Sequence, residues 1–329
     1  MLMHVLMLLG GLALIVKGGE FFVAAAVRLA EFLRMPRVVI GSTLVSLATT
    51  TPELVVSIMA GWRGESGLAV GNAVGSCICN IALILGMTAT LRHVDVHFRA
   101  LRTPLIAMFG FGVLLFFMTL DLSLVRWQGV VLLLGGLAYF AWDFWQHWRD
   151  RRPEHVAEAT AIETEQSAAR WNWVETKAGT LLQFLFGAGI VVAGSRLLVE
   201  GAVGVASSLG IPPIIIGLTV VAVGTSLPEL VTAVTSSRRA VSDLAVGNVL
   251  GANIANLSLI VGAAAVIQTV RMDRLTQLFN FPAMLGIMIL LLWMLRTGHR
   301  VTRREGAVLL GVYALYIATL LIMTAVAIT

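Results

Sequence analysis

The alternation of apolar and polar stretches divides the chain into ten long hydrophobic runs. They cover roughly 4–33, 37–60, 67–91, 100–120, 123–146, 178–208, 213–236, 243–268, 276–296 and 303–326. At about 1.5 Å per residue, runs of this length form helices that cross the ~30 Å hydrocarbon layer of a bilayer. The first and sixth are long enough to require tilt. Between the fifth and sixth lies one strongly polar stretch, where Arg149, Arg151 and Arg152 are followed by Glu154, Glu158, Glu163 and Glu165. It reads as a solvated linker. Three regions follow: 1–146, the linker 147–177, and 178–329. No Lys or Arg precedes the opening run and no small-residue cleavage site follows it, so it reads as a first span and not as a removed signal.

The chain also repeats itself. Pro36 to Gly86 and Pro212 to Gly262 align without a gap at a constant offset of 176 residues, with 23 identities in 51 positions. Five runs, an odd number, fall in each half, so the second copy enters the membrane in the opposite sense. Inverted repeats of this kind place their binding site near the bilayer midplane, where the copies meet. The predicted fold is an all-α membrane protein of ten transmembrane helices in two inverted five-helix repeats, with broken helices at a midplane ion site.

Composition excludes a soluble domain: 58% of residues are hydrophobic, 12% are charged and mean hydropathy is +0.91. A net charge of +5 would suit a nucleic-acid partner if it were gathered on one face. Here the basic residues stand in short clusters between apolar runs and set topology instead. Counted from an outside N-terminus, Arg34, Arg37, Arg92, Arg99, Arg102, Arg149, Arg151, Arg152, Arg238, Arg239, Arg296, Arg300, Arg303 and Arg304 fall inside. Only Arg63, Arg126, Arg271 and Arg274 fall outside. Both termini are therefore expected outside and the linker in the cytoplasm. The expected partners are the lipid bilayer and inorganic cations, with no nucleic acid and no obligate protein partner. Cys77 and Cys79 lie two apart in an apolar run and read as packing residues.

The repeated blocks hold the candidate chemistry. GSTLVSLATTTPELVVS (Gly41 to Ser57) matches GLTVVAVGTSLPELVTA (Gly217 to Ala233), and each is followed by a second block, GNAVGSCICN (Gly71 to Asn80) and GNVLGANIAN (Gly247 to Asn256). Pro52 and Pro228 precede Glu53 and Glu229, and a proline offers no N–H to the carbonyl four residues earlier, here Ala48 and Gly224. Backbone oxygens released in mid-membrane are tolerated where protein or an ion satisfies them. A hard divalent cation such as calcium takes ~6–8 oxygen ligands. Glu53, Glu229, freed carbonyls near Ser46, Thr49, Ala222 and Thr225, and the hydroxyls of Thr49, Thr50, Thr225 and Ser226 supply that inventory. Two carboxylates at the bilayer centre need neutralising, and calcium, sodium ions or protons would each serve. In the second blocks, Gly71, Gly75, Gly247 and Gly251 are spaced to let helices approach closely. Asn72 and Asn248 either brace the broken helices or touch an ion, while Asn80 and Asn256 are expected in contact or near contact with it.

With these motifs in place, the chain resembles prokaryotic sodium/calcium exchangers of the calcium/cation antiporter superfamily. GTSLPE at Gly224 to Glu229, its variant ATTTPE at Ala48 to Glu53, and the GN-x-x-G block after each carry the resemblance, which covers essentially the whole chain. It implies a multi-pass protein of a prokaryotic plasma membrane that exchanges calcium for sodium, with no cofactor beyond the transported ions and protons as the alternative driver. It further implies that Glu53 and Glu229, with the backbone oxygens of Thr49 and Thr225, hold calcium. Sodium would then draw on Ser46, Thr50, Ser76, Ala222 and Ser226, with Asn80 close by and Asn256 in the matching position. Two positions depart from the family pattern. Ala252 stands where a serine is expected, and Asn256 where an aspartate often sits.

Two other classes remain to be weighed. Glutamates in a membrane also serve hydrolases, but all six histidines lie at span ends or in loops, and neither HExxH nor GxSxG occurs near Glu53 or Glu229. A cation channel is the nearer rival, yet one pseudo-symmetric site from one repeat pair suits alternating access better than a pore. The charges on the long first and sixth runs, Lys17, Glu20, Arg28, Glu31, Arg196 and Glu200, are spaced for local pairing.

Overall fold

A backbone in hydrocarbon must satisfy its own N–H and C=O groups, so apolar runs of this length fold as helices. The computed structural model describes residues 2–62, 66–95, 98–149, 176–208, 224, 226–239, 241–298 and 300–328. The helices of the first half are α1 (Leu2–Leu33), α2 (Arg37–Ile40), α3 (Ser46–Thr49), α4 (Thr51–Trp62), α5 (Ser66–Ile78), α6 (Gly86–Leu91), α7 (Phe98–Met118) and α8 (Arg126–Arg149). Those of the second half are α9 (Lys177–Ser208), α10 (Leu227–Arg238), α11 (Ser242–Ala255), α12 (Val261–Ile267), α13 (Phe281–Gly298) and α14 (Arg303–Ile328). Among the described residues, seven helical stretches are long and apolar enough to cross a membrane.

The second expected span is interrupted. It runs through α2, a π-helical turn at Gly41–Val45, α3 and α4, with the helix broken at Thr50. Three further π-helical turns, Cys79–Leu85, Asn256–Ile260 and Thr276–Asn280, join α5 to α6, join α11 to α12 and lead into α13. The widened i→i+5 turn shifts backbone register within a helix and marks functional sites more often than chance. Most of the expected linker, residues 150–175, lies outside the described residues.

The all-α expectation needs one correction, because span ends that emerge side by side exchange backbone hydrogen bonds. Strand β1 (Val94–Asp95) pairs antiparallel with β4 (Arg300–Val301), and β2 (Ser123–Leu124) with β3 (Val270–Arg271). Met272 N–H extends the second ladder by donating to Leu122 O at 3.0 Å.

The core is built around α5 and α11, which carry the second repeated blocks. Nearly every residue of α11 is buried. It packs on α2, α3, α5, α7 and α10. Close approach to the second span depends on Gly247 and Gly251, where an added Cβ would collide with Val38 O and with Ser42 O. No described atom lies within 4 Å of a Cβ at Gly71 or Gly75, and the repeat mate of 36–47, residues 212–223, lies outside the described residues. The long helices α1 and α9 pack along each other. Lys17 Nζ and Glu20 Oε2 pair at 3.3 Å on the exposed side of α1, as their spacing suggested.

Candidate functional site

The two glutamates sit at equivalent places, each in the first turn of a short helix. Thr50 precedes α4 with φ −81° and ψ 3°, and Ser226 caps α10 with φ −91° and ψ 11°. These repeat mates share a sparsely populated backbone conformation from which the next helix begins, and at Thr50 it also ends the preceding one. Pro228 follows in the first turn of α10, where its missing N–H costs no hydrogen bond.

Glu53 is 1% exposed and Glu229 is 0% exposed. Glu53 lies within electrostatic range of Glu229. Ser226 Oγ donates to Glu53 Oε1 at 3.4 Å and lies 3.5 Å from Ser76 Oγ. On the other side Thr49 stands beside Glu229, and its hydroxyl donates to Asn248 Oδ1 at 3.1 Å. Each carboxylate is therefore flanked by a hydroxyl from the opposite repeat. Among the described residues, Glu53 Oε2 and both oxygens of Glu229 accept no hydrogen bond. Burying such oxygens is costly unless an opposite charge or a proton compensates them.

The structure refines the ligand inventory. The carbonyl of Ser46, expected to be released, accepts Thr50 N–H at 2.9 Å and Thr50 Oγ1 at 2.7 Å. The hydroxyl of Thr50 is thus turned along its own helix, and the helix breaks at Thr50 itself, two residues after Ala48, whose carbonyl the proline argument released. Ser46 Oγ donates to Ser42 O at 2.9 Å and Thr43 O at 3.0 Å, leaving its lone pairs unassigned. Thr225 and Ala222 lie outside the described residues.

The asparagines divide by role. Asn248 Oδ1 accepts the Thr49 hydroxyl while its amide nitrogen has no partner among the described residues, and Asn72 Nδ2 reaches Ser57 Oγ at 3.4 Å. Asn80 turns its amide nitrogen to Asn253 Oδ1 at 3.0 Å, and its own oxygen has no partner among the described residues. Asn256, fully buried, has both amide atoms unpartnered among the described residues. Sequence reasoning passed over Asn253, because its repeat mate is the dissimilar Cys77. The two mates meet directly: Cys77 Sγ donates to Asn253 O at 3.8 Å and Asn253 Nδ2 to Cys77 O at 3.4 Å. Cys77 and Cys79 are buried in the core, as packing residues would be, and Cys79 stands beside Ser226 and Tyr313, at the border of the site. Ala252, the mate of Ser76, is buried with no side-chain oxygen to offer.

Comparison with known proteins agrees with this architecture. The chain matches the family described as sodium/calcium exchanger protein over residues 3–145 and 179–322. It is 33% identical to the putative antiporter CaxA of Alkalimonas amylolytica over 319 residues, 96% of this chain and 98% of that one. It is 31% identical to the sodium/calcium exchanger MaX1 of Methanosarcina acetivorans over 341 residues, 96% of this chain and 97% of that one. The solved structure of the sodium-calcium exchanger NCX_Mj superposes with a TM-score of 0.81 at 27% identity, covering 97% of this chain and 99% of that one. Two paired glutamate blocks, each at the start of a short buried helix in a helical membrane fold, thus place the chain in the sodium/calcium exchanger protein family, a family of transporters and not of enzymes.

Proposed function

We propose that this chain is a secondary antiporter that exchanges calcium for sodium by alternating access at one site formed by Glu53 and Glu229. The observation that carries the reading is the pair itself. Two repeat-related carboxylates are fully buried, are flanked by hydroxyls from opposite repeats, and keep three oxygens free of hydrogen bonds among the described residues. Such a pair binds a divalent cation or its equivalent in monovalent charge, and competition between the two for one site is what couples their fluxes. In this reading calcium takes the glutamates and the carbonyls of Thr49 and Thr225. Sodium draws on Ser46, Thr50, Ser76, Ala222 and Ser226, with Asn80 and Asn256 alongside.

The strand ladders support ten spans in two inverted repeats. β1 and β2 flank the 21 residues of α7, so they stand at its opposite ends. β1 pairs with β4 and β2 with β3, yet the offset of 176 makes β1 the mate of β3. Mates that stand at opposite ends are what inversion requires. The reciprocal contact of Cys77 and Asn253 fits a two-fold axis through the site, since only residues near such an axis meet their own mates.

Proton coupling is the second reading, and the specific observation behind it is the substitution pattern: Ala252 and Asn256 remove an oxygen and a titratable group from the expected sodium shell. Calcium uptake into liposomes holding the purified protein, under an imposed sodium gradient and separately under a proton gradient, decides between them. Uptake is expected only when a counter-gradient is present; calcium passing without one would identify a channel and overturn the proposal.

A further inference from the structure

The proposed exchange makes no use of Asp143, an acidic residue inside the fifth hydrophobic run. It is 1% exposed on α8, and among the described residues neither carboxyl oxygen accepts a hydrogen bond. Ser42, from the π-helical turn of the second span, stands beside it but donates its hydroxyl to Val39 O at 3.2 Å. One turn further along α8, His147 holds Nδ1 3.7 Å from Asp143 Oδ1, with its side chain 25% exposed. That nitrogen also lies 2.8 Å from the Asp143 carbonyl oxygen. One turn back, Tyr139 is within electrostatic reach, and its buried hydroxyl has no partner among the described residues.

Charge from neighbouring elements is sparse. α8 packs against α2, α7, α12 and the turn at Asn256–Ile260. α2 brings Arg37 and α7 brings Arg99 and Arg102, while residues 256–267 bring no ionisable group. Arg149, at the end of α8 itself, is stacked over the Trp145 ring at 4.6 Å. Among the described residues, the nearest positive group to this buried carboxyl is a histidine beyond hydrogen-bond distance, and burying an ionised carboxylate with so little compensation is costly.

We propose that Asp143 is a proton-binding site in its own right, loaded through His147 and separate from the glutamate pair. Ligand supply argues for a proton over a metal ion. The oxygens at hand are those of the carboxyl group and the hydroxyls of Ser42 and Tyr139, short of the ~6–8 that calcium takes. A proton needs one. Loading is a simple transfer: an O–H bond forms on a carboxyl oxygen as the imidazolium N–H bond breaks, and water at the exposed face of His147 re-protonates the ring. The neutral carboxyl can then donate to a neighbouring hydroxyl, which an ionised one cannot. Ser42 O in turn accepts Ser46 Oγ at 2.9 Å, so the charge on Asp143 acts on the helix that carries Ser46, Thr49 and Thr50. The inference stands on α8 and its neighbours and does not depend on which ion drives exchange.

Infrared spectroscopy of the purified protein in liposomes tests it, read as the difference between the unmodified protein and Asp143→Asn. The same difference is taken on a Glu53→Gln/Glu229→Gln background, where the pair contributes no carboxyl band. The expected result is a protonated-carboxyl C=O stretch on both backgrounds. It should titrate with pH, ignore sodium and calcium, shift its titration in His147→Gln, and vanish in Asp143→Asn. Should Asp143→Asn fail to fold, Asp143→Glu is expected to move the band without abolishing it. A difference spectrum with no such band at any pH where the protein stays folded overturns the proposal, and so does a band that sodium removes, which would mark a metal site.

Discussion

Ser226 Oγ lies between Glu53 Oε1 and Ser76 Oγ, so one hydroxyl from the second repeat links two candidate ligands of the first. Its repeat-related counterpart is incomplete, because the position equivalent to Ser76 is Ala252, buried at 0% exposure. If Ser76 contributes to a sodium shell, restoring the mate should strengthen it. Ala252→Ser is expected to lower the sodium concentration for half-maximal calcium efflux by roughly 5–10-fold, the equivalent of about 1–1.4 kcal/mol for one recovered polar contact, with calcium affinity nearly unchanged. Efflux from liposomes against external sodium at fixed pH gives the comparison; identical steep curves for both proteins would show that this position is not a sodium ligand. Glu53, Glu229 and their hydroxyl neighbours were legible in the sequence because the repeat prints them twice. Asn253 and Asp143 were not, since neither has an acidic or amide mate at the offset of 176, and their roles come from contacts between distant segments.

Among the helices, the sequence indicated where breaks would fall but not their form. Proline explains why α4 and α10 start where they do, whereas the π-helical turns at Gly41–Val45 and Cys79–Leu85 contain no proline and are products of packing. The seam between α1 and α9 was also hidden. Gly11, Gly18, Gly187, Gly194 and Gly201 recur at seven-residue spacing on the two helices, and at Gly194 a Cβ would lie 2.9 Å from Leu14 Cβ and 3.0 Å from Ile15 N. The two helices meet here nearly backbone to backbone. Gly194→Val is accordingly expected to destabilise the fold by about 1–3 kcal/mol through overpacking. Gly286→Ala, where no described atom lies within 4 Å, should leave stability unchanged or raise it. Thermal unfolding of the two variants in detergent checks this; equal midpoints would mean that the helices have room to separate.

At the scale of the whole molecule, the run lengths anticipated a helical membrane protein, because bilayer thickness fixes helix length; seven described stretches reach that length, and ten spans in two inverted repeats are the proposed arrangement. The short strand ladders escaped notice, since two-residue strands leave no alternating pattern. Orientation rests on the basic clusters at Arg149 to Arg152 and Arg296 to Arg304. Single cysteines at Ser167 and Gly298, in a background lacking Cys77 and Cys79, should resist an impermeant thiol reagent on intact cells. Labelling of both would turn the molecule over in the membrane. The central claim, that Glu53 and Glu229 together form the transported-cation site, is tested most directly by calcium uptake into liposomes under whichever gradient drives the unmodified protein. Glu53→Gln and Glu229→Gln should each elute as folded protein and each lose at least about 30-fold of the uptake rate, the equivalent of about 2 kcal/mol for halving the charge offered to a divalent ion. Near-normal uptake by either variant would contradict the account.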